Sequence, residues 1–296
     1  MSYSISKEQW ENIYKLGYPG QWDTASLVSE SIYKGGEGLI QEKLKASQYL
    51  PFNIEDIIEE GMKRYSDSII QLKTPHEVKQ EIWQAMKAKR GLSVIRLGDG
   101  EILALAHDLL VPADTINKSV KLKYALGGFK VPDHVKRNEL TQNLLEADFI
   151  GIPKARYPTY QRLFNSLAKT LQLPLHKMNL TDSRINYLMN EESTIYHDLL
   201  SKYRILLIGN RAKDGMEYLK KLGYKSIVGS VPVPNIYEVP RVLEEVNQFD
   251  FDAAFVSAGI PANLICVALA KQGKVAIDFG HLLDWYINGS KRIRQN

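Results

Sequence analysis

The chain has 296 residues, a formal net charge of +4 and 44% hydrophobic residues, which is typical of a globular protein with one large or two small domains. The charge is too small and too evenly spread to indicate a nucleic-acid-binding protein. No apolar run approaches the roughly 20 residues that a membrane span needs, and residues 1–7 do not begin a signal peptide, so we predict a cytoplasmic protein.

The first 75 residues differ in composition from the rest, since they are rich in Tyr, Ser, Lys and Glu and carry glycine-rich breaks at 17–20 and 35–38. Apolar residues recur near every 3.6 positions over 53–72, which predicts a helix that Asn53 caps. A further helix should begin at Thr74-Pro75, because proline fits the first helical turn. We interpret residues 1–75 as an N-terminal helical extension and residues 76–296 as the main domain.

From residue 91 onward, short β-rich runs alternate with helical stretches. The runs predicted as strands are 92–97, 148–152, 204–209, 226–231, 253–257 and 274–278. Helices are predicted over 213–222, 238–248 and 261–272. The last of these contains the only cysteine, Cys266, which we expect to be a buried thiol. Strands that are apolar on both faces and separated by helices indicate an α/β fold, with a Rossmann-like parallel sheet flanked by helices.

Ligands of such sheets bind outside the carboxyl ends of the strands, so the residues that follow each strand are the candidate site. The first strand is followed by Gly98, Asp99 and Glu101, two carboxylates on a glycine-flanked turn. Hard divalent cations such as Mg²⁺ or Mn²⁺ prefer such oxygen ligands, and Arg96 could contact the phosphates of the same ligand. Alternatively, Asp99 only caps a helix over 100–110 and Glu101 complements its dipole.

Three later strand ends carry further candidates. Gly209-Asn210-Arg211 combines a glycine turn, a helix start and a basic side chain, which suits a base, a ribose or a phosphate. Gly259 lies in a turn of small residues before a helix that begins at Pro261. Both turns could equally serve only to pack the chain tightly. The last strand is followed by Asp278, His281 and Asp284, which could act as metal ligands, as a general base or as partners of sugar hydroxyls.

These strand ends, in this order, resemble the bacterial glycosyltransferase family with the GT-D fold, formerly a domain of unknown function. The resemblance covers roughly residues 75–290. It rests on Arg96-Leu97-Gly98-Asp99-Gly100-Glu101, on Ala276-Ile277-Asp278-Phe279-Gly280-His281 with Asp284 and Tyr286, and on Ser183-Arg184 and Gly259. It implies that Asp99 and Glu101 engage a metal ion and the donor, and that Arg184 lies near the donor.

The predicted function is therefore transfer of a hexose from a nucleoside diphosphate sugar, with a UDP-sugar favoured, to a hydroxyl of a glycan or glycoconjugate. Mn²⁺ or Mg²⁺ is the expected cofactor, and a homo-oligomer is possible. His281 or Asp278 would orient the sugar or act as the base. Two rival functions stay open: a non-catalytic module that binds nucleotide sugars, and a Rossmann-like hydrolase of sugar phosphates or nucleotides.

Overall fold

A computed structural model of the protein describes residues 24–154 and 158–296. The glycine-rich break at 17–20 and the N-terminus on which the signal-peptide prediction rests lie outside these residues. The chain divides into two compact units, residues 1–70 and residues 71–296. Within the described ranges, no helix has the length and apolar character needed to cross a membrane.

The described part of the first unit is helical. Its helices are α1 (Thr24–Gly35), α2 (Glu37–Gln41) and α3 (Ile54–Arg64), followed by a short 3₁₀ helix, Ser66–Ser68. The predicted cap is confirmed, because the Asn53 side chain accepts the Asp56 N–H at 2.9 Å and the Asp56 carboxylate accepts the Asn53 N–H in return. Helix α3 ends earlier than predicted, at Arg64, because Tyr65 leaves the helical conformation and the 3₁₀ helix follows it.

The second unit contains seven strands: β1 (Leu92–Arg96), β2 (Phe149–Ile152), β3 (Leu180–Asp182), β4 (Ile205–Gly209), β5 (Ile227–Val231), β6 (Ala253–Ser257) and β7 (Val275–Asp278). Its first eight helices are α4 (Pro75–Ala88), α5 (Asp99–Ala106), α6 (Ala113–Lys118), α7 (Val120–Ala125), α8 (His134–Glu146), α9 (Pro158–Thr170), α10 (Ile185–Glu192) and α11 (Ile195–Lys202). The remaining helices are α12 (Ala212–Lys221), α13 (Val239–Val246), α14 (Pro261–Lys271) and α15 (Leu282–Ile287), and 3₁₀ turns occupy Leu175–Lys177 and Ile236–Glu238.

The strands form one sheet in the order β3-β2-β1-β7-β6-β4-β5, and every neighbouring pair is parallel. This confirms the predicted Rossmann-like sheet, and the six predicted strands lie within a residue of their predicted positions. Strand β3 was not predicted, because its three residues, Leu-Thr-Asp, form no apolar run. It extends the sheet by pairing with β2, with Ile150 opposite Leu180.

Helices cover both faces of the sheet. Helices α4, α10, α11, α12 and α15 share one hydrophobic core with alternate strand residues, such as Val94 and Phe255. Helix α14 packs on β1 and β7 and contacts α8, which also contacts α5. Cys266 in α14 is fully buried, as predicted, and its pKa is raised by that burial. Because the helices leave the strands on different faces, a crevice opens at the carboxyl edge of the sheet.

Candidate active site

A cavity of about 600 Å³ lies at the carboxyl edge of the sheet, within the usual size range of small-molecule sites. The residues that follow β1, β4, β6 and β7 line it, together with Ser183 after β3. Several helices begin at this cavity, among them α5, α12 and α14. Their free backbone N–H groups and the positive ends of their dipoles make the cavity favourable for an anion.

Asp99 and Glu101 both line the cavity, but in different environments. Asp99 is exposed at the first residue of α5, and its Oδ1 accepts the Gly100 N–H at 3.0 Å. Glu101 is buried in the first turn of the helix, and its Oε2 accepts the N–H of the capping residue, Gly98, at 2.9 Å. The capping role that the alternative interpretation gave to Asp99 is wrong, because Gly98 is the N-cap. Glu101 lies in the first turn, where that interpretation placed it to complement the dipole, and it also accepts the Gly98 N–H. The helix ends at Ala106 rather than at 110.

The buried carboxyl of Glu101 is electrostatically unfavourable when ionised. Its pKa is raised to about 7, chiefly by burial and secondly by the nearby Asp278 carboxylate, against the opposing effects of Arg96 and of the backbone hydrogen bonds. A carboxyl that titrates near neutral pH, at the edge of a cavity, is a recognised mark of a functional site. Of the two carboxyl groups, Glu101 is therefore the one whose ionisation destabilises the folded protein.

Arg96 connects the ends of three strands beneath the cavity. Its Nη2 donates to Asp278 Oδ1 at 2.9 Å, and the two side chains are only 15% and 5% exposed. Its Nη1 donates to the Ser183 carbonyl and to Asn186 Oδ1, each at 3.2 Å, and its Nε donates to the Asp278 carbonyl at 3.2 Å. These bonds hold Arg96 against Asp278, so the partly exposed Arg211 is better placed to meet a phosphate.

Gly280 lies directly against this ion pair, with a φ of 51°. A Cβ at this position would lie 1.9 Å from Arg96 Nη2. Arg96 cannot move away, because its guanidinium is held by its hydrogen bonds to Asp278, Ser183 and Asn186. We therefore expect Gly280→Ala to lower the free energy of unfolding by more than the roughly 1–2 kcal/mol that the left-handed backbone alone costs alanine. Gly289→Ala is the matched control, because Gly289 also has a positive φ, 73°, but faces open space.

Chemical denaturation of both glycine variants measures the difference. An equal loss of stability in the two variants would contradict the argument, because it would leave only the backbone contribution. A larger loss in Gly280→Ala would show that the Arg96 guanidinium is fixed in its place.

His281 and Asp284 form a pair at the cavity mouth. Asp284 Oδ2 lies 3.0 Å from His281 Nδ1, and the histidine side chain is 81% exposed. Arg211 Nη1 contacts the other oxygen of Asp284 at 3.4 Å. If Nδ1 carries the proton that Asp284 accepts, Nε2 of His281 is free to accept a proton from a ligand.

An aromatic wall closes one side of the cavity and was missed by sequence reasoning. Tyr187 and Trp285 stack with ring centroids 4.4 Å apart and an interplanar angle of 20°, and both line the cavity. Behind them, the buried Asn186 donates from Nδ2 to the Phe279 carbonyl at 2.7 Å while it accepts from Arg96. Trp285 could have been predicted as a site residue, because it directly follows the candidate residue Asp284. Tyr187 could not, because its position in the sequence is typical of an ordinary core residue of a helix.

The cavity brings together most of the residues predicted from the sequence, namely Arg96, Gly98, Asp99, Glu101, Asn210, Arg211, Gly259, Asp278 and His281. Gly209 and Arg184 do not line it. A Cβ on Gly209 would lie 2.2 Å from the Ser257 carbonyl, so this glycine allows β4 and β6 to approach closely. The Arg184 N–H donates to Asp182 Oδ1, and the residue precedes α10.

A metal ion in this cavity would need ligands from a bound substrate as well as from protein side chains. Within residues 24–154 and 158–296, no group of three or more His, Cys, Asp or Glu side chains is placed to hold one. Mg²⁺ and Mn²⁺, however, commonly bind one or two carboxylates and complete their coordination with substrate phosphates. Asp99, with Oδ2 free of any partner in the described structure, and Glu101 beside it fit a site of that kind.

Solved structures of similar fold include two domains of unknown function 1792. One is a selenomethionine-substituted domain of unknown function 1792, with a TM-score of 0.53 and 18% identity, covering 80% of this chain and 88% of that one. The other is a domain of unknown function 1792 described as having a distinct glycosyltransferase fold. It has a TM-score of 0.50 and 18% identity, and covers 79% of this chain and 87% of that one. A comparison with curated proteins gave no match.

The family model of the GT-D fold-like domain matches residues 73–286. The matched range begins just before α4 and ends within α15, so it contains the whole sheet and every residue that lines the cavity. This chain therefore belongs to the GT-D fold-like family.

Proposed function

We propose that the protein is a glycosyltransferase that moves a hexose from a nucleoside diphosphate sugar to a hydroxyl of a glycan or glycoconjugate, assisted by Mn²⁺ or Mg²⁺. The observation that carries this proposal is the meeting of the Asp99–Glu101 pair and the His281–Asp284 pair in one cavity of a GT-D-like fold. The first pair suits the donor diphosphate and the second suits the acceptor.

The diphosphate would lie among the N-termini of α5, α12 and α14, beside Arg211. Backbone N–H groups at helix starts bind phosphate oxygens, and a cationic side chain offsets the charge that develops on the leaving diphosphate. The metal would be held by Asp99 and Glu101 together with phosphate oxygens, where it would neutralise the same charge. Ser257 Oγ, buried and without a partner in the described structure, offers a hydrogen bond to a donor hydroxyl.

His281 is the better of the two candidate bases. Its exposed ring is oriented by Asp284, so Nε2 can take the proton of an acceptor hydroxyl as that hydroxyl attacks the sugar. Asp278 is 3% exposed, and its Oδ1 already accepts from Arg96 and from the Gly280 N–H. We assign Asp278 a positioning role, and we assign the Tyr187–Trp285 wall to the apolar face of a sugar ring.

Asp99→Asn should remove metal-dependent donor binding and lower kcat by about 10²–10³-fold, the usual cost of losing one group that stabilises charge in the transition state. The measurement is a thermal-shift panel of nucleoside diphosphate sugars, with and without Mn²⁺, followed by a transfer assay with the donor that binds. A ligand at 100 times its dissociation constant adds about 2.7 kcal/mol of apparent stability.

Asp114→Asn is the matched control, because Asp114 is an exposed aspartate in the first turn of α6, away from the cavity. A metal-dependent shift that survives in Asp99→Asn would contradict the assignment of this carboxylate. Release of nucleotide with no sugar transferred would favour the hydrolase, and metal-independent binding without turnover would favour the binding module.

A further inference from the structure

Asn190, a buried residue near the end of α10, connects three segments of the chain. It is 5% exposed. Its Oδ1 accepts the Tyr286 O–H at 2.6 Å, and its Nδ2 donates to the Arg292 carbonyl at 3.1 Å. The Arg294 N–H makes a longer contact with the same Oδ1, at 3.5 Å. Because the Arg292 carbonyl can only accept, the amide has one orientation, in which Oδ1 faces Tyr286.

The hydrogen bond between Asn190 and Tyr286 lies next to the aromatic wall. Tyr187 precedes Asn190 by three residues on α10, and Trp285 directly precedes Tyr286 on α15. Residues three apart on a helix are neighbours on its surface, so the bond joins the two helices at the turns that carry the stacked rings. Helix α10 packs mainly on α4, and α15 packs mainly on α12. The bond and the ring stack therefore contribute directly to the alignment of α10 with α15.

The segment that follows α15 also contacts Trp285. The Lys291 N–H donates to the Trp285 carbonyl at 3.2 Å, and the Lys291 ammonium lies 5.5 Å from the centre of the Trp285 ring. The segment lies beyond residues 73–286, the range that the family model matches. Since Asn190 fixes this segment through the Arg292 carbonyl, it constrains Trp285 by a second route.

We propose that Asn190 is a positioning residue that holds Trp285 against Tyr187 so that the wall receives the acceptor sugar, a role that rests on the function proposed above. Trp285 directly follows Asp284, which orients the candidate base His281, so the wall lies on the acceptor side of the cavity. Aromatic rings offer apolar area to one face of a sugar ring. A displaced wall should therefore weaken acceptor binding and leave the chemistry at the base unchanged.

Fluorine NMR of the full chain labelled with 5-fluorotryptophan tests the positioning role without an assay of activity. The chain has four tryptophans, and the Trp285 resonance is the one that Trp285→Phe removes. In Asn190→Leu and in Tyr286→Phe, we expect this resonance to move toward its position in Tyr187→Leu, which lacks the stacked ring. Tyr286→Phe keeps its own ring, so it tests the bond even if Asn190→Leu does not fold.

Asn143→Leu is the matched control for Asn190→Leu. Asn143 is also a buried amide, 9% exposed, and it donates to the main-chain carbonyl of Asn263 at 2.6 Å, at the contact between α8 and α14. The Trp285 resonance should stay in place in this variant. A Trp285 resonance that stays in place in Asn190→Leu and in Tyr286→Phe as well would overturn the proposal.

Steady-state kinetics distinguish positioning from a general loss of folded enzyme. The donor is the one that binds in the thermal-shift panel, and the acceptor is the p-nitrophenyl glucoside, galactoside or N-acetylglucosaminide. Asn190→Leu and Tyr286→Phe should each raise the KM for the acceptor by about 2–10-fold, the usual contribution of one hydrogen bond. The kcat and the KM for the donor should stay within about twofold of wild type, since only binding of the acceptor is lost.

The two variants remove the same hydrogen bond, so the double variant should be no worse than Asn190→Leu alone. Effects on KM that multiply in the double variant would overturn the proposal, as would a lower kcat with an unchanged KM for the acceptor. A wild type that transfers no sugar would overturn the proposed function instead, and the Trp285 resonance would still show whether Asn190 holds the wall.

Discussion

Arg96→Met should lower the free energy of unfolding by about 3–5 kcal/mol, the usual cost of removing one partner from a buried ion pair. The variant would leave the Asp278 carboxylate, 5% exposed, without its cation. It would also remove the donor to Asn186 and to the Ser183 carbonyl. The measurement is equilibrium denaturation, monitored by circular dichroism.

The double variant Arg96→Met/Asp278→Leu distinguishes two contributions to that loss of stability. One is the loss of the attraction between Arg96 and Asp278, and the other is the cost of leaving the Asp278 carboxylate buried and unpaired. We expect the double variant to be more stable than Arg96→Met, because it removes the uncompensated carboxylate, but to have no transferase activity. Lys271→Met breaks the exposed ion pair with Glu146 and should cost at most about 1 kcal/mol. A double variant no more stable than the single one would show that the hydrogen bonds of Arg96, and not the charge of Asp278, account for the loss.

Glu101→Gln should stabilise the protein at alkaline pH while it abolishes activity. The carboxyl of Glu101 titrates with a pKa of about 7 in the folded state, against 4.5 for the unconstrained group. Between these pH values the folded state binds more protons, so this group makes stability fall as the pH rises, and the full cost is present above about pH 7. Glutamine is never ionised and still offers an oxygen to the Gly98 N–H.

The gain in Glu101→Gln should therefore approach roughly 3 kcal/mol at pH 8–9 and vanish near pH 4. Urea denaturation across this pH range, without divalent metal, measures it. Glu139→Gln, at an exposed position, should leave the pH profile of stability unchanged. A difference between Glu101→Gln and wild type that is the same at every pH would contradict the assigned pKa.

The sequence predicted the sheet well because five of its strands, all of the predicted ones except β5, are buried on both faces and have apolar sequences. It also located the carboxyl-edge residues, since glycines and acids follow β1 and β7 directly. It could not predict that Arg96 meets Asp278, 182 positions away, because a pattern along the chain contains no information about which strands become neighbours. The sequence thus did not predict that Arg96 supports Asp278, and its contact with a phosphate stays a prediction.

Two features of the site depend on packing alone. The high pKa of Glu101 arises from burial and from the nearby Asp278, and neither is visible in the Asp-Gly-Glu motif. Tyr187 and Trp285 lie 98 positions apart in the sequence and become one wall only when α10 and α15 pack at the same edge. The metal, the donor base and the acceptor stay predictions, because they depend on molecules that the cavity would hold.

The order of the strands also determines when the site can form during synthesis. Strand β7 is the last strand of the chain, yet it lies between β1 and β6 and pairs with both. A nascent chain that ends before Val275 can therefore build only two separate pieces of sheet, β1–β3 and β4–β6. Asp278 and His281 leave the ribosome together with the strand that joins the pieces, so the cavity is completed only once β7 has been synthesised, and not by stages.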